Sequence, residues 1–301
     1  MKEGTQPSGL PHAIGVYLIW GLFPLYFHAL RDVPAFEMVG WRALFTLPAC
    51  LILVALTRSL GEVVRALKTP RTLATLTASA LLIGGNWLIY VIAITTDHVF
   101  AASLGYYINP LMNVLAGTLF LHERLSRLQW LAVALATVGV GILAWGALNT
   151  LGISIGLAAL FCGYGLVRKL APVEPLAGLT VETIVLAVPA LILVAWQAGE
   201  PAGIALGQST ERDILLAMGG VITGIPLLLF ATAARRMSYS ALGFVQFLAP
   251  TIVFLLGLFV FHEPLRPAQL ASFMVIWAAI AVFCWDLLSS RRAAQPVEEP
   301  A

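Results

Sequence analysis

The chain has little charge. Of its 301 residues only 11% are Asp, Glu, Lys or Arg, while 60% are hydrophobic; an average soluble domain carries about 25% charged residues. That deficit excludes a water-soluble globular protein, because apolar runs of about 18 to 22 residues recur along nearly the whole chain, each long enough for a ~30 Å hydrocarbon core. The formal net charge of +2 is too small to draw the chain to nucleic acid. Cysteine is scarce as well: Cys50, Cys162 and Cys284 lie inside apolar runs, irregularly spaced and without neighbouring histidines, so neither a disulfide framework nor a metal centre is encoded. No GxxxxGK[ST] phosphate loop occurs, which leaves transport driven by nucleotide hydrolysis without its motif.

What remains is a polytopic, all-α membrane protein. Ten spans are predicted, at Ala13–Leu30, Ala35–Leu56, Leu73–Ile94, Ala101–Leu121, Leu128–Leu148, Leu151–Leu170, Leu176–Gln197, Ile214–Ala234, Ala241–Phe261 and Ala268–Leu288. The first follows a short polar start with no small-residue cleavage site behind it, and reads as a retained helix. If the N-terminus is cytoplasmic, thirteen Lys and Arg residues fall on the inner side; Arg31, Arg212 and Arg266 fall outside, and Arg42 lies within the second span. This bias predicts both termini inside. In the first inner loop, Leu60, Val63, Val64 and Leu67 alternate with Glu62, Arg65 and Lys68 at helical spacing, the pattern of a short helix lying on the inner leaflet. Trp41, Trp130, Trp145, Trp196 and Trp285 sit toward span ends, as interface anchors. The tail 289–301 is polar and Pro-containing, and reads as disordered.

The stretch Ser103–Glu123 recurs. At an offset of 140 residues Pro110 meets Pro250, Gly117 meets Gly257, His122–Glu123 meets His262–Glu263, Leu125 meets Leu265, Gln129 meets Gln269 and Trp145 meets Trp285. The repeat unit is five helices, over residues 13–148 and 151–288. An odd number of spans makes the second copy enter the membrane from the opposite side, so the repeats are inverted, an architecture of secondary transporters that bind substrate between the halves.

Two five-helix repeats that each end in Pro, a small-residue helix and an HE(R/P)L corner resemble the EamA-type repeats of the drug/metabolite transporter superfamily. More narrowly, IWGLFPLYF at Ile19–Phe27, LIGGNWLIYVIAI at Leu82–Ile94, ASLGYYINPLMNVLAG at Ala102–Gly117, YGLVRK at Tyr164–Lys169 and LGFVQFLAPT at Leu242–Thr251 are similar to its RarD branch. The resemblance covers about residues 12–290 and implies transport of a small molecule, without specifying which.

Polar residues inside apolar helices mark the candidate path, since such groups are costly unless they face protein or water. Tyr17, Gly21, Pro24 and His28 share one face of the first span; Asn86, Tyr90 and Asp97 share one of the third; Tyr106, Asn109, Pro110 and Asn113 share one of the fourth; Gln246 and Pro250 share one of the ninth. The cavity candidates are therefore Tyr17, Gly21, Pro24, Asn86, Tyr90, Tyr106, Asn109, Asn113 and Gln246. Interhelical hydrogen bonding competes with that role at each of them. Pro110, Pro226 and Pro250 are gating or kink candidates. Glu37, Arg42 and Glu182 are the ionisable candidates, for coupling or for an anionic substrate group, with snorkelling to the interface as the competing role of the first two. The HE corners are expected to cap helix ends. The polar faces of the fourth and ninth spans are expected to meet, with Tyr106, Asn109 and Pro110 opposite Gln246 and Pro250 across a cavity.

The first span contains no Asp or Glu. The proton-for-cation exchange of the related small multidrug exporters, which uses a first-helix carboxylate, thus has no residue to run on, and a neutral or zwitterionic metabolite is favoured. The expected function is a secondary transporter of the bacterial inner membrane, exporting a small polar metabolite or drug-like compound, with no cofactor and with coupling to protons or membrane potential. The alternatives are an intramembrane enzyme acting on a lipid-linked substrate, for which HE without the HExxH partner and the acids Glu37 and Glu182 are poor equipment, and a non-transporting sensor. The fifth and tenth spans, nearly free of polar groups, are the expected lipid-facing or homodimer-forming surfaces.

Overall fold

A computed structural model describes residues 8–201, 203–262 and 264–293, and every regular element in them is helical. Ten helical units are long and apolar enough to cross a membrane. The first consists of α1 (Leu10–Gly21) and α2 (Phe23–Ala29); the second is α3 (Ala35–Thr57), the third α5 (Pro70–Thr95), the fourth α6 (Val99–Phe120) and the fifth α7 (Arg127–Ala144). The sixth is α8 (Leu151–Leu170), the seventh α9 (Pro175–Ala198), the eighth α10 (Thr210–Arg236), the ninth α11 (Tyr239–Gln246) with α12 (Leu248–Phe259), and the tenth α13 (Pro267–Ala293). All ten predicted spans are present. The start of the tail expected to be disordered, 289–293, continues α13 as helix, while residues 1–7, Glu263 of the second HE corner and the end of the tail, 294–301, lie outside the described residues.

Local chemistry sets the breaks. Proline begins α5, α9 and α13, where its missing N–H costs nothing. Ser126 starts α7 with a capping box, its hydroxyl accepting from the Gln129 amide at 3.1 Å while Gln129 Oε1 accepts from Ser126 N at 3.2 Å. The first span is interrupted at Leu22, just ahead of Pro24, and the ninth at Phe247, just ahead of Pro250; each proline cannot bond back one turn and crowds the carbonyl there. Pro110 and Pro226 lie inside uninterrupted helices, so of the three kink candidates only Pro250 stands at a break.

The inner-loop helix forms over the predicted residues, α4 (Leu60–Lys68). Val63 and Ala66 pack on Val54, Leu76, Ala177 and Val181, while Leu60, Val64 and Leu67 stay exposed. Its apolar residues thus divide between the bundle and the outside.

The spans pack with the symmetry of the repeat. The second pairs with the seventh, the fourth with the ninth and the fifth with the tenth; contacts of the third with the sixth and of the fourth with the sixth have their counterparts in the eighth with the first and the ninth with the first. His122 and His262, equivalent in the repeat, both take φ 52°, a left-handed conformation unusual for a side-chain-bearing residue. The molecule is therefore two inverted five-helix repeats interleaved about a pseudo-twofold axis. The fifth and tenth spans spend one face on each other: Ser272 Oγ donates to the Gly139 carbonyl at 2.6 Å, and Ala132, Ala136, Val140 and Leu143 pack with Phe273, Ile276, Ala279 and Phe283. Their other faces, with Trp130, Trp145, Met274 and Trp285, are exposed.

With ten spans, the first and last described helices begin and end on one face of the bundle, the terminal face; Gly9 sits against Ala233 and Arg236 at the end of the eighth span.

Candidate functional site

The sequence candidates separate into two layers. Nearer the opposite face, Arg42 enters the bundle about 10 Å of helix from Ala35, Tyr106 about 10 Å from Val99, and Tyr90 about 8 Å before Thr95. Arg42 does not snorkel. Its Nε donates to Thr223 Oγ1 of the eighth span at 2.9 Å, and its guanidinium carbon lies 5.6 Å from the Phe23 ring centroid, 5.3 Å from Phe27 and 5.6 Å from Trp87, cation–π distances all three. Tyr26, Tyr90 and Tyr106 lie within its electrostatic reach, and Tyr90 and Tyr106 meet edge to face at 5.8 Å. Arg42 is 9% exposed, yet among the described residues no carboxylate lies within 4.0 Å of it.

Two glycines make room for this arrangement. A Cβ on Gly219 would stand 2.9 Å from Arg42 Cγ and 2.5 Å from the Tyr26 hydroxyl, and one on Gly220 would collide with the Phe45 backbone. The second and eighth spans therefore touch backbone to backbone at this depth, as the glycine pair in the sequence suggests.

The other layer lies toward the terminal face and is closed. Asn113 Nδ2 donates to Gln246 Oε1 at 2.8 Å and to Asn109 Oδ1 at 3.3 Å, and the Tyr17 hydroxyl reaches Gln246 Oε1 at 3.5 Å. Between this plug and Arg42, about 15 Å from Val99 and about 13 Å before Thr95, Asn109 and Asn86 donate to backbone carbonyls of the sixth span, Ala158 and Leu157, each at 2.8 Å. All five side chains are buried. The faces of the fourth and ninth spans do meet, but without a cavity between them here: a Cβ on Gly243 would come within 2.6 Å of the Pro110 carbonyl. Gly21 is likewise filled, by Ile252 of the ninth span. Pro24 follows the break of the first span and lies in the Arg42 layer, between Phe23 and Phe27.

Below this plug the repeats are tied together at the terminal face. Glu123 of the first HE corner accepts from the Tyr239 amide at 2.6 Å, the Ser240 amide at 2.9 Å and the Ser240 hydroxyl at 2.7 Å. It caps the N-terminus of α11, where backbone donors and helix dipole both favour a carboxylate. The capped helix belongs to the other repeat. A side chain on Gly117 would clash with Glu123 and Ser240. Lys169 Nζ donates to the Ala234 and Met237 carbonyls at 2.8 and 2.6 Å, closing the end of the eighth span beside it.

The remaining acids stand apart from Arg42. Glu37 Oε1 accepts from Trp41 Nε1 at 2.9 Å and from the Ala205 amide at 2.7 Å, pinning the loop after the seventh span. Glu182 forms a buried ion pair with Arg168, at 3.4 Å with both side chains 1% exposed, in the terminal half of the bundle. Phe23, Phe27, Trp87 and Thr223 were not singled out from sequence. The signal was there for three of them: Phe23 and Phe27 are an i,i+4 aromatic pair flanking a proline, and Trp87 is a tryptophan well inside a span, away from the interfaces that ordinarily hold one.

The EamA-like transporter family matches residues 7–145. A Vibrio cholerae protein described as an uncharacterized transporter is 41% identical over 290 residues, covering 96% of this chain and 95% of its own length. Protein RarD of Salmonella typhi is 40% identical over 293 residues, covering 97% and 99%. A solved crystal structure with 20% sequence identity superposes with a TM-score of 0.69 over 91% of this chain and 96% of its own, a likeness of fold. The chain belongs to the EamA-like transporters, as a RarD-like member.

Proposed function

We propose that this membrane transporter works as a secondary exporter of a small polar metabolite or drug-like compound, by alternating access between its inverted repeats in a bacterial inner membrane. One observation carries the reading. The cation and rings around Arg42 occupy one half of the bundle, while the other half is plugged by Asn113, Gln246 and Tyr17 and latched across the repeats by Glu123. Opening that latch while the inverted-repeat counterpart closes would pass a ligand from one face to the other. Glu37 and Glu182, the acids an intramembrane enzyme would have to pair, lie in opposite halves and are each engaged, which favours transport over catalysis.

Proteoliposomes loaded with a small-molecule extract of bacterial cells and analysed by mass spectrometry test this. At least one compound leaves protein-containing vesicles faster than empty ones, and Tyr106→Ala slows it; equal loss from intact, Tyr106→Ala and protein-free vesicles would sink the reading. Coupling to protons or membrane potential belongs to the same proposal, with Glu182 as the acid held at depth. An internal pH dye reads it: flux without proton movement and insensitive to an imposed potential removes coupling. A homodimer through the outer faces of the fifth and tenth spans is proposed on their exposed apolar side chains. Mass measurement in detergent that finds only monomer removes it.

A further inference from the structure

We propose that Arg42 and its ring of aromatics form a receptor for a monocarboxylate with a flat apolar body. The proposal deepens the transport reading of the same site and rests on it for what happens after binding.

The first argument is an unfinished charge. A buried cation is costly without a counter-charge, and the three rings at 5.3 to 5.6 Å compensate only in part. The Nε is occupied by Thr223. Among the described residues Nη1 and Nη2 have no hydrogen-bond acceptor, and neither is among the buried atoms without a partner, so both keep accessible surface. Two parallel N–H edges of a guanidinium match the two oxygens of a carboxylate.

The second argument is the sum of charges. The other cations at depth are spent in the terminal half: Arg168 on Glu182, and Lys169 on two carbonyls. One positive charge neutralises one negative charge, which favours a carboxylate over a phosphate dianion. An ammonium group on the ligand would find no carboxylate. Glu37, on the same helix, holds Trp41 and Ala205 with one oxygen and has the other buried. A net anion therefore fits better than the neutral or zwitterionic metabolite that the sequence favours. The rest of the lining, Phe23, Phe27, Trp87, Tyr90 and Tyr106, offers ring faces and edges to a planar apolar body.

Calorimetric titration of the purified protein with four probes of one shape decides it: phenylacetate, phenylacetamide, phenethylamine and phenyl phosphate. Phenylacetate binds about tenfold to a hundredfold more tightly than phenylacetamide, the margin of a charge-assisted hydrogen-bond pair, and phenethylamine binds least. Arg42→Gln erases the carboxylate preference and Arg42→Lys keeps part of it. Should Arg42→Gln not fold, Trp87→Ala replaces it and weakens phenylacetate binding more than acetate binding. Equal affinity for acid and amide, tighter binding of phenyl phosphate, or a carboxylate preference that survives Arg42→Gln would each overturn the proposal. Arg42-dependent binding without flux would instead overturn transport and leave the receptor standing, whereas flux of another compound with no carboxylate binding would do the reverse.

Discussion

At the scale of single residues, the buried charges follow different rules. Arg168 and Glu182 form a buried ion pair in a closed setting, with Gly178 directly beneath the guanidinium so that any side chain there would collide with it. Removing one partner strands the other: Glu182→Leu should cost about 3–5 kcal/mol, while the double replacement with Arg168→Met should cost much less, because burying an ion pair gains little over burying apolar volume. Thermal melts in detergent of the two single variants and the double one check this; an additive double variant contradicts it. Arg42 is the opposite case, a cation held by rings with its fork open. Gly219→Ala, which places a methyl group against the stem of Arg42, should lower phenylacetate affinity by about as much as a lost charged hydrogen bond, roughly tenfold, with a smaller loss of thermal stability.

Between elements, small residues decide how closely helices approach and so where polar groups land. Gly243 sits on the Pro110 carbonyl and against Asn113 Cβ, and this contact brings Gln246 to Asn113. Gly243→Val should push the fourth and ninth spans apart, cost about 1–3 kcal/mol as overpacking does, and break the Asn113–Gln246 bond. Measured as a melting-temperature change, it should be non-additive with Asn113→Ala if the two changes disrupt the same contact. The same interface shows why the asparagines resisted assignment from sequence. Their helical phase was legible, but a polar stripe looks identical whether it lines water or bonds to a neighbouring backbone. Only the approach of the sixth span, bringing the Leu157 and Ala158 carbonyls within reach, engages Asn86 and Asn109.

Taken as a whole, the molecule is latched at one face by Glu123, a carboxylate that crosses between repeats beneath the Asn113–Gln246 plug. Glu123→Ala removes three hydrogen bonds at a helix N-terminus; lost caps cost about 0.5–2 kcal/mol. The expected consequence is a shift in population away from the latched state. With Cys284→Ala removing the exposed native thiol, a cysteine introduced as Ala241→Cys, at a position now buried, should react faster with a thiol reagent once Glu123 is replaced. An unchanged rate would show that the latch does not hold this face shut. The charge bias makes a second prediction at this scale: reporter fusions at both ends should read as cytoplasmic.

The number of spans, their positions to within about five residues, the amphipathic helix α4, the inverted repeat and its family were all written in the sequence, because a bilayer demands long apolar runs and a repeat keeps its spacing whatever the packing. The HE corner was also legible as a cap, though not that it caps a helix of the other repeat. Tertiary structure alone decided which polar residues are spent and which remain open. Arg42 and Arg168 are both arginines in apolar helices, and their different fates depend on what distant spans place beside them. Glu182 faces one, three aromatic rings surround the other, and no local pattern encodes the meeting of helices hundreds of atoms apart along the chain.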